Sequence, residues 1–158
     1  MAKFEFQVQS QGSKAILTMS GSIDEDADFS LINLAGHSEV DMNLQNLKSI
    51  NSCGIREWIK WLSGLQVGTI QLQNCPKIIV DQINMVDGFL PPQAKVLSFY
   101  VPYYNDDSGS EMNVLFRYGQ EYSDGKLTPP ESVKDEDGNE LEMDVIQAKY
   151  FKFISNMK

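Results

Sequence analysis

Leu47-Lys-Ser-Ile-Asn-Ser-Cys-Gly-Ile-Arg-Glu-Trp-Ile-Lys-Trp-Leu-Ser-Gly-Leu65 carries the two signals around which the rest of the chain is organised. The first is periodic. Large apolar residues recur at Ile55, Trp58, Ile59, Leu62 and Leu65, the i, i+3, i+4, i+7 spacing of an amphipathic helix with one buried face. The second is the polar run Asn51-Ser52-Cys53-Gly54 ahead of it, where a helix leaves its first N–H groups unpaired. Asn51 or Ser52 serves as the cap, since either side-chain oxygen reaches the N–H groups of the first turn. A hydroxyl there also has chemical meaning: a phosphate on Ser52 would lie against free N–H groups and the positive end of the helix dipole.

Working outward, the segment before this helix reads as strand. Val40, Met42 and Leu44 alternate with Asp41 and Asn43, a short strand that leads through a loop into the helix. Earlier, Phe4, Phe6 and Val8 alternate with Glu5, Gln7 and Gln9, and Lys14–Ser20 forms the partner strand of a hairpin ended by Gly21. Asp24–Gly36 carries Ala27, Leu31, Leu34 and Ala35 on one stripe and predicts a helix. Its single histidine, His37, would then assist the helix end.

Downstream, Gly68 breaks the chain and Thr69–Gln73 alternates around Ile70 and Leu72. Pro76 opens a second helix with Ile79, Ile83 and Val86 on one face, stopped at Asp87-Gly88. Ala94–Tyr103 is a fifth strand. Strands alternating with helices after a hairpin predict an α/β layer with a mixed sheet backed by helices. The loops after Leu44 and Gln73 would open at the carboxyl ends of parallel strands, where such sheets place binding sites.

Residues 102–158 lack a long helical period. Met112–Tyr118 reads as a strand, and Leu141, Met143 and Val145 alternate in another. Each follows a similar turn, Asp106-Asp-Ser-Gly-Ser-Glu-Met112 and Asp135-Glu-Asp-Gly-Asn-Glu-Leu141, a weak repeat of two hairpins. The final Tyr150-Phe-Lys-Phe-Ile154 is apolar enough to dock on the core or on a neighbour. We therefore expect a domain over 1–101 and a small β-rich C-terminal extension over 102–158.

Composition limits the function. The 158 residues are 42% hydrophobic and 22% charged, enough to bury a core without metal or disulfide. A net charge of −9 repels nucleic-acid backbones and anionic lipid, so neither is expected as a partner. No apolar run has membrane-spanning length, and the start of the chain lacks a signal-peptide core. With two cysteines in no paired motif, a cytoplasmic location with free thiols is expected. No phosphate-binding glycine loop and no serine or cysteine triad is present, so the chain reads as a non-enzyme without cofactor.

Met42-Asn-Leu-Gln-Asn-Leu-Lys-Ser-Ile-Asn-Ser-Cys-Gly-Ile55 resembles the signature segment of STAS domains, the anti-sigma-factor antagonist family. The resemblance, with the order of elements, spans about residues 3 to 101. It implies a mixed sheet backed by helices and a bacterial-type signalling module that regulates a protein partner, a kinase-like anti-sigma factor or another regulator. The motif serine, phosphorylated by a partner kinase in one branch, falls on Ser52, and the following small residue on Cys53. The two family aspartates correspond to Asn43 and Asn51, so amides replace the acids that surround a phosphorylatable serine. The expected partner-binding residues are Asn43, Asn51, Ser52, Cys53, Gly54 and Trp61, the last as a partly exposed anchor. The rival expectation is a small-molecule or nucleotide sensor using the helix start at Asn51–Gly54 as an anion site.

The tail resembles, more faintly, a pair of zinc-ribbon knuckles without their cysteines. Its turns offer Asp106, Asp107, Asp135, Glu136 and Asp137, and Val133 stands where a calcium loop needs an oxygen ligand, so no metal site is expected. Of the two thiols, Cys53 at the helix start is the better redox candidate, but small buried cysteines are the commoner case.

Overall fold

In the computed structural model, which describes residues 2–157, two sheets share one hydrophobic core. The chain enters as β1 (Glu5–Gln11), turns at Gly12-Ser13 and returns as β2 (Lys14–Ile23). β3 (Glu39–Ile50), β4 (Thr69–Gln73) and β5 (Ala94–Val96) then add in parallel, giving the order β1-β2-β3-β4-β5. α1 (Ser52–Ser63) connects β3 to β4, and α2 (Lys77–Met85) connects β4 to β5. This is the mixed sheet of an α/β fold.

Period-two patterning shows which face the helices cover. Ala15, Leu17, Met19, Val40, Met42, Leu44, Ile70 and Leu72 are buried, while the alternating Ile16, Thr18, Asp41, Asn43 and Gln71 are only half-buried. Trp58 and Leu62 of α1 and Ile79 and Val80 of α2 are buried against the first set. At roughly 1.5–3 kcal/mol per buried large side chain, this layer dominates the stability of the sheet.

β3 runs well past the expected end at Leu44, staying paired to β2 as far as Ile50. Two register shifts, between Thr18 and Ser20 and between Gly21 and Ser22, break the simple alternation that would have revealed the extension. Gly21 does not end β2. It adopts φ 87°, and a Cβ there would sit 2.1 Å from the Lys3 carbonyl oxygen, so only glycine permits the close approach of the incoming chain.

The helix expected over Asp24–Gly36 does not form; a short 3₁₀ turn at Phe29–Leu31 is all that winds. The reason is local competition. Asp24, Asp28 and Asn33 each accept the N–H two residues on, from Asp26, Ser30 and Ala35 respectively, at 3.0 Å. Such Asx turns offer the backbone an alternative to the helical ladder. His37 accordingly caps no helix. Its ring joins Ser10 Oγ at 2.9 Å and the Leu34 carbonyl at 3.2 Å, tying this loop to the first hairpin.

The predicted strand over Ala94–Tyr103 is two strands. At Leu97 the chain leaves the first sheet and continues as β6 (Ser98–Tyr104), which pairs with β7 (Glu111–Arg117). After the small hairpin β8 (Tyr122–Ser123) and β9 (Lys126–Leu127) come β10 (Val133–Lys134) and β11 (Glu140–Met143), giving a second sheet in the order β10-β11-β6-β7. The two acidic turns of the weak repeat meet. Asn105 Nδ2 donates to the Glu140 carbonyl at 2.7 Å, and Ser110 Oγ donates to Asp135 at 2.7 Å.

The last residues, α3 (Gln147–Tyr150) and α4 (Lys152–Ser155), dock on this core. Fully buried Phe99 is ringed by Phe116, Tyr122, Tyr150, Phe151 and Phe153, with centroids 5.1 to 6.2 Å away. Asn84 of α2 fixes the tail by donating to the Tyr150 carbonyl at 2.8 Å and accepting the Phe153 N–H at 2.9 Å. The boundary expected at 101/102 falls inside β6, and the core continues across it.

Candidate functional site

The start of α1 is built by three neighbours. Asn51 is the cap: its backbone is extended, and its Oδ1 accepts the Gly54 N–H at 2.9 Å. The Asn51 N–H itself donates to the Ile23 carbonyl at 3.1 Å, which anchors the helix to the end of β2. Gly54 is packed so closely on that strand that a Cβ would lie 2.0 Å from the same Ile23 oxygen. With Asn51 as cap, Ser52 becomes the first helical residue, exposed, and its hydroxyl makes no hydrogen bond among the described residues. Cys53 beside it is half-buried.

The third neighbour is Glu25, which sequence reasoning missed. Its Oε2 accepts from Asn51 Nδ2 at 2.9 Å, and this bond holds its carboxyl below the usual range for glutamate. A negative charge therefore stands at the positive end of the α1 dipole. The amide at position 51 does not leave the helix start without an acid; the acid comes from the loop after β2. Nothing local in the sequence marks Glu25, because the contact spans 26 positions.

Asn43 is elsewhere. It lies mid-strand in β3, roughly 25 Å from Asn51 at the usual rise per strand residue. Its Oδ1 accepts the Gln45 N–H at 3.1 Å and Asn74 Nδ2 at 3.3 Å. Asn74 follows β4 with φ 55°, the only described non-glycine residue with positive φ. Its N–H donates to the buried Ser98 hydroxyl at 2.7 Å, which in turn contacts Gln73 Oε1 at 3.2 Å. This polar knot closes the carboxyl end of β4, beside a shallow cavity of about 380 Å³ rimmed by Leu115, Arg117 and Tyr118. The loop expected after Leu44 does not exist, since β3 continues there; the one after Gln73 does.

Trp61 also stands apart from the helix start, nine residues or roughly 14 Å along α1. It is half-buried, stacked on Phe29 at 4.9 Å and 13°, and edge-on to Trp58 at 5.9 Å. Trp58 is fully buried, stacks on Phe89 at 5.3 Å and donates its indole N–H to the Phe89 carbonyl at 3.0 Å. The structure thus brings Asn51, Ser52, Cys53 and Gly54 together with Glu25, and separates them from Asn43 and Trp61.

One further polar cluster has a local role. Asp135 turns its carboxylate onto its own hairpin, accepting from Ser110 Oγ, Asn139 Nδ2 and the Asp137 and Asn139 N–H groups. The Ser110 bond leads in holding it below the usual aspartate range. Among the described residues, no three His, Cys, Asp or Glu side chains are placed to share a metal ion. Burial pushes the Cys75 thiol far above its ordinary value, which removes it as a nucleophile at neutral pH. No helix among the described residues is long and apolar enough to cross a membrane.

No protein-family model matches the chain, and no curated protein matches it significantly.

Proposed function

We propose that this chain is a non-enzymatic regulatory or scaffolding module that binds a protein partner through the start of α1, in the manner of an anti-sigma-factor antagonist. One observation carries the reading. Asn51 supplies the cap, so the Ser52 hydroxyl has no structural task and stands exposed at the first turn. A serine so placed is accessible to a partner and to a partner's kinase chemistry. The resemblance of Met42–Ile55 to the STAS signature supports the same surface. Glu25 supplies there the carboxylate that Asn51 lacks.

The anion-site alternative is weakened by the same carboxylate. A nucleotide phosphate at the α1 start would meet Glu25 within the first turn, offsetting what the helix dipole contributes. A phosphoryl group on Ser52 would add about two negative charges beside Glu25, which suits a modification that switches a contact off.

The experiment compares Ser52→Asp and Ser52→Ala as baits with the unaltered chain, using the partner recovered by the latter and then titrated directly. Both variants are expected to fold, because the Ser52 hydroxyl is exposed and unbonded. Ser52→Ala changes stability by less than about 0.5 kcal/mol, and Ser52→Asp by about 1 kcal/mol at most, since the helix dipole favours its charge and Glu25 opposes it. Ser52→Asp weakens the partner by at least about tenfold and Ser52→Ala by much less. Equal affinity for all three proteins would remove this surface from the interface and refute the proposal.

A further inference from the structure

We infer that β1 is a dimerisation edge, at which a second copy of this chain adds antiparallel to extend the five-stranded sheet across a two-fold axis. The sheet has two edges, and the fold treats them differently. β5 is only three residues long, and two of its outward groups are used internally: the Ala94 N–H donates to the Pro91 carbonyl at 3.0 Å, and the Val96 carbonyl accepts the Tyr122 hydroxyl at 2.7 Å. β1 is seven residues long and pairs on one side only. The two-residue turn makes Gln11–Lys14 the closing hydrogen-bonded pair, so Gln11, Gln9, Gln7 and Glu5 direct their backbone groups toward β2. Those of Phe6, Val8 and Ser10 point outward, and none has a backbone partner among the described residues.

Natural edges are blunted by lysine, proline or a bulge. Glu5–Gln11 contains no lysine or proline, and its seven-pair register with β2 is unbroken. β7, an edge of the second sheet, differs: it begins at Glu111 and ends at Arg117, whose N–H and carbonyl are taken by a turn at Gln120-Glu121.

Three features favour a second copy over an unrelated peptide. The first is charge. The chain carries −9 overall, so most of its surface repels its own kind. Glu5–Gln11 carries a single charge, Glu5, and in a two-fold pairing about Val8 its two copies stand at opposite ends of the interface, so β1 itself brings no like charges together. The second is self-complementarity. With Val8 opposite Val8 of the partner copy, Phe6 falls opposite Ser10, giving about six backbone hydrogen bonds. Gln7 then faces Gln9 on the polar side, where each side-chain amide both donates and accepts. The third is apolar continuity. Phe4, Phe6 and Val8 are only half-buried although they lie on the helix-covered face. Phe4 packs on Phe29 at 5.3 Å, and Leu31, two residues on in the same 3₁₀ turn, is 68% exposed. A partner's β1 would extend that face and cover it.

The test is sedimentation velocity on the whole chain across a concentration series, with amide hydrogen exchange at both ends of the series. Dimer is expected to form with concentration, and the Phe6, Val8 and Ser10 amides to slow as it does. The Gln7 and Gln9 amides, already inside the hairpin ladder, stay unchanged. Val8→Pro removes an outward N–H without touching the β2 ladder and weakens the dimer at least about tenfold. Val8→Lys does the same by charging the edge, and stands in if the proline variant fails to fold. A chain that stays monomeric throughout overturns the inference, as does a dimer indifferent to both substitutions with no concentration-dependent protection at Phe6, Val8 and Ser10.

Discussion

Gly54→Ala probes the contact that sets the start of α1. The added methyl would lie 2.0 Å from the Ile23 carbonyl oxygen, 2.6 Å from its carbon and 2.9 Å from Ile23 Cγ2. Two of those atoms are backbone of a strand buried between its neighbours, so the strand cannot turn aside as a flexible side chain would. The helix start must withdraw by roughly 1 Å or more to restore ordinary contact. That movement costs about 1–3 kcal/mol as overpacking and stretches the Asn51 N–H to Ile23 bond, now 3.1 Å, worth about 1 kcal/mol. Against it stands the better helix propensity of alanine, at most about 1 kcal/mol. The expected net loss is about 1–3 kcal/mol, or a fall in Tm of roughly 2–12 °C for a chain of this size, measured by urea and thermal unfolding. Gly64→Ala is the matched control. Gly64 caps the other end of α1 at φ −91°, and a Cβ there meets nothing closer than 3.5 Å. It should gain about 0.4–1 kcal/mol by restricting the unfolded chain. If Gly54→Ala is as stable as Gly64→Ala, the helix does not approach β2 as described, and the account of the site fails with it.

Asn84→Ala should cost about 2–4 kcal/mol, because the Tyr150 carbonyl and Phe153 N–H both lose their partner in a half-buried setting. Limited proteolysis should then cut within the C-terminal tail before elsewhere, and unchanged resistance would show that the aromatic cluster alone holds it. Asn51→Ala should cost about 1 kcal/mol as a lost cap and return the Glu25 carboxyl toward its ordinary range, visible in an NMR pH titration. The sign follows from the lowered folded-state value. The Glu25–Asn51 bond contributes stability above the ordinary glutamate pKa of the unfolded chain and loses it as pH falls through the lowered folded one. The gap between the two proteins should therefore narrow on acidification; a gap that widens would contradict the hydrogen bond.

What the sequence made legible is what local periodicity can encode. The helix at Asn51–Leu65 reads from its spacing, because Trp58 and Leu62 must face the sheet and the polar run before them must hold a cap. The hairpin over 3–20 reads from alternation, and Pro76 marks the start of α2 within a residue. The failures have different causes. Asp24–Gly36 has a helical stripe, but Asp24, Asp28 and Asn33 satisfy the backbone by shorter routes. β3 hides its second half because bulges in the β2 pairing shift its buried positions from Leu44 to Leu47, off period two. The break at Leu97 is invisible locally because both halves are good strand; only the Tyr118 N–H and the Leu72 carbonyl, bonded to Leu97 from two different sheets, divide them.

The site shows the same division and gives it a consequence. A cap at Asn51 or Ser52 is a choice the sequence leaves open, and its resolution depends on β2. The Ile23 carbonyl takes the Asn51 N–H, which fixes Asn51 outside the helix and releases Ser52 from structural duty. Glu25, just two residues beyond Ile23, then reaches the Asn51 amide. The end of β2 thus sets the helix register, the exposure of the serine and the charge beside it. A substitution that alters the surface proposed for the partner need not lie in the motif that resembles a known family; displacing Ile23 or Glu25 would rearrange it from outside.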